Sequence, residues 1–146
     1  MRTNRGFTLI ELMVTIAVLV IIATMAVPSF KDLILKQNLK KSSQELVEVL
    51  TKARAKAAFE RRQITVRLNT SVVADTETQL NWMPNGKSVL KSSSPTTITF
   101  LSTGLVKDAT SDTSFVVCEQ SSGSLSKTVS ISKMGTIQQT VEGTCS

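Results

Sequence analysis

Residues 6–28 read GFTLIELMVTIAVLVIIATMAVP, and this stretch decides how the rest of the chain is organised. From Phe7 to Val27 it carries one charge, Glu11, and as a helix it spans about 31 Å at ~1.5 Å per residue, matching a hydrocarbon core. Ahead of it lies MRTNRG, with Arg2 and Arg5 and no acid. A secretory signal peptide has the same basic start and apolar run, with a small-residue exit at Thr24-Met25-Ala26 before Val27. A plain signal anchor fits as well. Neither accounts for Glu11, because a carboxylate inside an apolar span costs roughly 2.5–3.5 kcal/mol even on the lenient insertion scale. A residue that costly calls for a partner.

Outside this stretch the composition narrows the function. The chain has 146 residues, 41% hydrophobic but only 4% aromatic, enough for one modest core. It has no histidine, which removes the commonest general base, the usual zinc and haem ligand, and every Ser-His or Cys-His nucleophile pairing. The expectation is a non-enzyme with no catalytic residue, cofactor or metal. Two cysteines, Cys118 and Cys145, are too few for a four-ligand metal site and lack the spacing of a redox motif.

Beyond Pro28 the pattern is helical. Residues 29–62 contain no Gly or Pro, and Leu39, Leu46, Leu50, Ala53 and Ala57 recur at spacings of 7, 4, 3 and 4, which is one helical face widened by Val49. Pro28 lets the membrane helix continue with a bend, since its ring removes one intrahelical bond. One long helix is expected, half in lipid and half in water. After Arg62 the period changes to two, in Gln63-Ile64-Thr65-Val66-Arg67-Leu68 and around Ile98 and Phe100. Pro84-Asn85-Gly86 between residues 80–83 and 87–90 reads as a hairpin turn with Gly86 at positive φ. Further strands are expected at residues 114–119, 128–132 and 136–141, with Ser- and Thr-rich loops between. The apolar face of the helix is the available partner for these strands, so the fold class is α+β, a long N-terminal helix packed on a C-terminal antiparallel β domain.

The string Gly6-Phe7-Thr8-Leu9-Ile10-Glu11, followed by about twenty apolar residues and Pro28, closely resembles the processing motif of type IV pilins and the pseudopilins of type II secretion. The resemblance implies that a prepilin peptidase cuts after Gly6, that Phe7 becomes the N-methylated first residue, that Glu11 serves assembly, and that Pro28 stands at the family's helix kink. It divides the chain into a cleaved leader (1–6), a transmembrane and filament-core helix (7–28), a soluble half-helix (29–62) and a periplasmic β domain (63–146). The new amine at Phe7 is cationic, methylated or not. In a filament it meets the carboxylate of a neighbour's Glu11, a pairing that a low-dielectric bundle strengthens and that fixes axial register. Within one chain the same amine can bond Glu11 directly.

A second set of residues is similar to the GspH/FimT family of minor pilins and pseudopilins: Phe100, Gly104, Phe115, Cys118, Val129, Ile131 and Gly135, with Trp82 and Gly86 resembling its Trp-Gly hairpin. Two cysteines in the last third look most like the FimU branch. The function implied is a minor pilin, a structural subunit that initiates or caps a type IV pilus near its tip. The alternative is a minor pseudopilin of the GspH type in a type II secretion system. The implied partners are other pilins or pseudopilins through the N-terminal helix, the prepilin peptidase and the inner membrane.

A second alternative, a DNA-uptake receptor, is weighed by charge. From Lys31 to Arg67 there are ten Lys or Arg against four Asp or Glu, whereas Leu68 to Ser146 has five against six. A basic stripe suits phosphate, but it also suits a solvated helix face with Glu45, Glu48 and Glu60 among the bases. The DNA-binding relatives carry Gly-Arg-x-Arg where this chain has Gly135-Thr136-Ile137-Gln138, so DNA is not the expected partner. Arg2 and Arg5 favour a cytoplasmic start, but Lys31, Lys36, Lys40 and Lys41 beyond the span pull the other way. The periplasmic placement therefore comes from the resemblance. A disulfide between Cys118 and Cys145 suits that compartment and would tether a polar tail with little to bury; the alternative is two free thiols, one buried and one exposed.

Overall fold

The computed structural model describes residues 7–70 and 73–145. Among the described residues one helix, α1 (Leu9–Glu60), is followed by seven strands: β1 (Ile64–Leu68), β2 (Gln79–Trp82), β3 (Val89–Leu90), β4 (Thr97–Phe100), β5 (Thr113–Cys118), β6 (Leu125–Ile131) and β7 (Val141–Thr144). The chain divides into two compact units after Ile34.

In the first unit α1 turns its apolar side chains outward on every side. Ile10, Leu19, Ile22, Val27 and Phe30 are all more than half exposed, as expected of a segment whose solvent is lipid or a helical neighbour. Among the described residues α1 is the helix long and apolar enough to cross a membrane. Pro28 lies inside it, and the helix continues through that position.

In the second unit α1 becomes one-sided. Leu39, Leu46, Leu50, Ala53 and Ala57, the face predicted by the periodicity, are buried with strand residues in one core, and Val49 packs against it. Two buried serines sit on the same face. Ser43 Oγ donates to the Leu39 carbonyl at 2.9 Å within the helix, and Ser42 Oγ accepts the Asn85 backbone N–H at 2.8 Å. The helix stops at Glu60 because Arg61 turns left-handed (φ 51°), and the Arg62 N–H then reaches back to the Ala57 carbonyl at 3.2 Å. That is a Schellman closure made without glycine. Arg62 is held between Glu60 and Glu77, at 2.6 and 3.2 Å, and hydrogen bonds to Glu60 first and Glu77 second raise its pKa.

The strands form two sheets, one in the order β2-β1-β4 and the other β3-β5-β6-β7. Both turn their apolar faces to α1: Ile64, Val66 and Phe100 from the first and Phe115, Val117, Val129 and Ile131 from the second are fully buried. Every pair is antiparallel except β1 with β2, which is parallel.

Two sequence expectations are corrected. Residues 80–83 and 87–90 do not form a hairpin, because β2 joins β1 while β3 joins β5 in the other sheet. The turn between them has the expected Gly86 at φ 61°, but it is bound to the helix rather than closing a ladder. Asn85 bonds Ser42 through its backbone and Glu45 through its side chain, and a Cβ at Gly86 would overlap Asn38. The final strand lies not at residues 136–141 but at β7. Ile137 pairs with Ile131 in an isolated bridge, and regular pairing resumes only at Val141 opposite Thr128. Residues 138–140 thus face only Val129 and Ser130, one residue too many, so a β-bulge separates the bridge from β7.

Candidate functional site

The first described residues carry the site that the sequence singles out. Gly6 and the leader 1–6 lie outside the described residues; Phe7 begins them and is exposed. Thr8 is the N-cap of α1, its carbonyl accepting the Leu12 N–H at 3.2 Å. Glu11 Oε2 accepts the Thr8 backbone N–H at 3.3 Å and the Thr8 hydroxyl at 3.1 Å, while Thr8 Oγ1 accepts the Glu11 N–H at 3.3 Å. This is a reciprocal capping box, and the negative carboxylate also suits the positive end of the helix dipole. It gives Glu11 a local partner that the sequence reading overlooked, although Thr-x-x-Glu before an apolar run is the signature of such a box. The other carboxylate oxygen, Oε1, has no hydrogen bond among the described residues, so capping leaves acceptor capacity for a cation.

At the other end of the chain, Cys118 and Cys145 are joined by a disulfide with their Cα atoms 5.8 Å apart. Cys118 closes β5 and Cys145 follows β7, so the bridge reaches across the start of β6, which lies between them. The backbone supports it: the Cys145 N–H donates to the Ser124 carbonyl at 3.0 Å, and Glu119 Oε1 accepts the Ser124 and Leu125 N–H groups at 3.1 and 3.4 Å. The tail expected to lack burial is indeed exposed throughout β7. Its tether is therefore the ladder with β6 and the disulfide, not apolar packing.

The two glycines quoted from the GspH/FimT pattern meet at one helix residue. Gly104 (φ 80°) and Gly135 (φ 78°) each close a tight turn, and a Cβ at Gly135 would run into the Gly104 carbonyl oxygen. Arg54 donates from Nε to that same carbonyl at 3.3 Å and from Nη2 to the Met134 carbonyl at 3.4 Å. In the sequence Arg54 is one of the ten bases between Lys31 and Arg67; its role here is to pin both turns to α1. Its spacing in the helix gives no such signal, because both partners are backbone carbonyls distant in sequence.

Comparison with known proteins bears on the family and the fold. Residues 1–27 match the prokaryotic N-terminal methylation motif, and residues 42–135 match the type II transport protein GspH family. Comparison with curated protein sequences gives no significant match. Among solved structures, the crystal structure of the Pseudomonas aeruginosa type IV minor pilin FimU is similar in fold. The TM-score is 0.55 at 22% identity, over 70% of this chain and 88% of that one. The methylation motif covers the apolar helix, and the second match takes in most of the helix-and-sheet unit with Gly104, Phe115, Cys118 and Gly135. The chain therefore belongs to the GspH family, as a membrane-anchored protein of the pilin type whose N-terminus carries the methylation motif.

Proposed function

We propose that this protein is a minor pilin, cut between Gly6 and Phe7, N-methylated on Phe7 and built into a type IV pilus, where it helps initiate or cap assembly. Before assembly it is held in the inner membrane by the first half of α1, with the β domain in the periplasm, and the disulfide suits that oxidising compartment. The observation that carries the reading is the pairing of a methylation motif with an exposed apolar helix headed by one capped glutamate. Cutting after Gly6 leaves Thr8 and its amide untouched, so the capping box persists in the mature subunit while Oε1 of Glu11 receives a neighbour's Phe7 amine. Pro28 stands inside α1, where its ring removes one intrahelical hydrogen bond.

A second reading, a minor pseudopilin of a type II secretion system, is favoured by the name of the family that matches residues 42–135. A deletion strain separates the two. Loss of surface pili with secretion of exoproteins intact supports the pilus, whereas retained pili with failed secretion assigns the protein to the secretion system.

A further inference from the structure

Five asparagines stand in the chain, and one of them, Asn85, is followed by glycine; the others precede Arg5, Leu39, Thr70 and Trp82. Asn-Gly is the pair in which a backbone nitrogen most easily reaches the side-chain amide before it, because glycine has no side chain to shield that nitrogen. The fold keeps the pair in place. Gly86, exposed at φ 61°, takes the second position of a turn that the Ser88 N–H closes on the Asn85 carbonyl at 3.1 Å. A Cβ there would also overlap the Asn38 side chain, so the turn favours glycine twice over. Among the described residues the Gly86 N–H has no acceptor. The half-buried Asn85 carboxamide donates through Nδ2 to Glu45 Oε2, while Lys41 lies 3.8 Å from the other oxygen, Oε1. The most labile amide of the chain therefore rests against a carboxylate that comes from another element.

We propose that Asn85 is a site of spontaneous deamidation and that the charge of Glu45 sets how slowly it reacts. The Gly86 nitrogen, its proton lost to hydroxide, attacks Asn85 Cγ; the Cγ–Nδ2 bond breaks, and Nδ2 takes a proton from water and leaves as ammonia. The succinimide so formed adds water at one of its two carbonyls. Opening at Cγ gives an aspartate at position 85 with the ordinary peptide bond, and opening at the backbone carbonyl gives an isoaspartate. One water enters, one ammonia leaves and the chain gains a negative charge. Attack turns the side-chain carbonyl oxygen into an oxyanion, and Glu45 holds a like charge beside it. Departure of Nδ2 also breaks its hydrogen bond to Oε2. Both effects slow the step in the folded protein. The product is penalised too, since a carboxylate at position 85 faces Glu45 with no donor between them, which loosens the turn from α1. Lys41 offsets this only in part, being mostly exposed and on the far oxygen. The inference lies wholly within the helix-and-sheet unit and is independent of which filament the subunit joins.

The test is peptide mapping by mass spectrometry of the full-length protein in detergent micelles, aged at mildly alkaline pH, with isoaspartate scored by enzymatic methylation. Deamidation is expected at Asn85 ahead of the other asparagines, and more slowly in the folded protein than in the same chain unfolded in urea. Glu45→Gln keeps an acceptor for Nδ2 but removes the charge, and is expected to react about fivefold faster than wild type. Arg54→Met, which loosens the domain elsewhere, is expected to react at the wild-type rate. A folded wild-type protein that reacts as fast as the unfolded chain overturns the proposal, as does a Glu45→Gln rate equal to wild type. Equal acceleration in Arg54→Met and Glu45→Gln overturns it in favour of general opening of the domain, and an Asn85 peptide that stays intact in folded Glu45→Gln removes the site altogether. The product is read separately through Asn85→Asp, which is expected to melt below wild type; an equal or higher midpoint overturns the loosening of the turn.

Discussion

Thr8 and Glu11 cap each other at the start of α1, with the Thr8 hydroxyl 3.1 Å from Glu11 Oε2 and the Glu11 N–H 3.3 Å from Thr8 Oγ1. The relationship separates two uses of one carboxylate. As a cap, Glu11 contributes on the order of 1 kcal/mol to the first turn; as a charge, it attracts a neighbour's amine. Glu11→Gln keeps the first use and removes the second. Both Glu11→Gln and Glu11→Ala are expected to be cleaved normally and yet to be depleted from sheared filaments. Thr8→Ala, which loses the cap alone, is expected to be incorporated nearly as well as wild type. Immunoblots of sheared and cell-bound fractions measure this, and normal incorporation of Glu11→Gln would remove the charge-pairing role.

Cys145→Ser should lower the thermal midpoint of the protein by roughly ten degrees, given the ~3–4 kcal/mol the chain-entropy model assigns to a bridge of this span. The loss should concentrate at β7, which is exposed along its length and held on one side only. Hydrogen exchange should therefore accelerate at residues 141–144 before it changes in β5. Non-reducing peptide mapping should show the linked peptides directly.

The helix and the membrane segment were readable in the sequence because each rests on a local signal: an apolar run with one acid, and the Leu39 to Ala57 face. The expected strands around Ile64, Ile98, Phe115 and Val129 also hold, since alternation of buried and exposed side chains is a property of a single strand. Which strand pairs with which was not readable. Pro84-Asn85-Gly86 has hairpin chemistry, but the turn is held by Ser42 and Glu45, some forty residues earlier on another element. The displaced β7 has the same origin, because a bulge is a relation between two strands and leaves no mark in either alone. The cysteine pair was legible from the polarity of the tail, whereas Thr8 was hidden in a motif read only for its glutamate.

Gly135 should be among the least replaceable residues of the β domain. Gly135→Ala must hold a left-handed backbone and push a methyl group against the Gly104 carbonyl oxygen, for an expected cost above about 2 kcal/mol. Arg54→Met, which leaves the two turns unpinned but keeps the aliphatic stem, should cost less, on the order of 1 kcal/mol. Chemical denaturation of the purified full-length protein ranks the two. A Gly135→Ala midpoint equal to wild type would show that the turn does not need its glycine.

Arg61 closes α1 in the left-handed region where glycine is the usual residue. Arg61→Gly should raise stability by about 0.5–1 kcal/mol, since the Arg62 ion pairs with Glu60 and Glu77 are unaffected. A higher denaturation midpoint with an unchanged slope is the expected result.

The central claim is that the chain is a pilin-type precursor whose working N-terminus is Phe7. N-terminal mass spectrometry of the protein extracted from membranes tests it most directly. The account predicts a chain that starts at Phe7 with one methyl group on its amine. A start at Val27, or an intact Met1 in cells with an active prepilin peptidase, would contradict it.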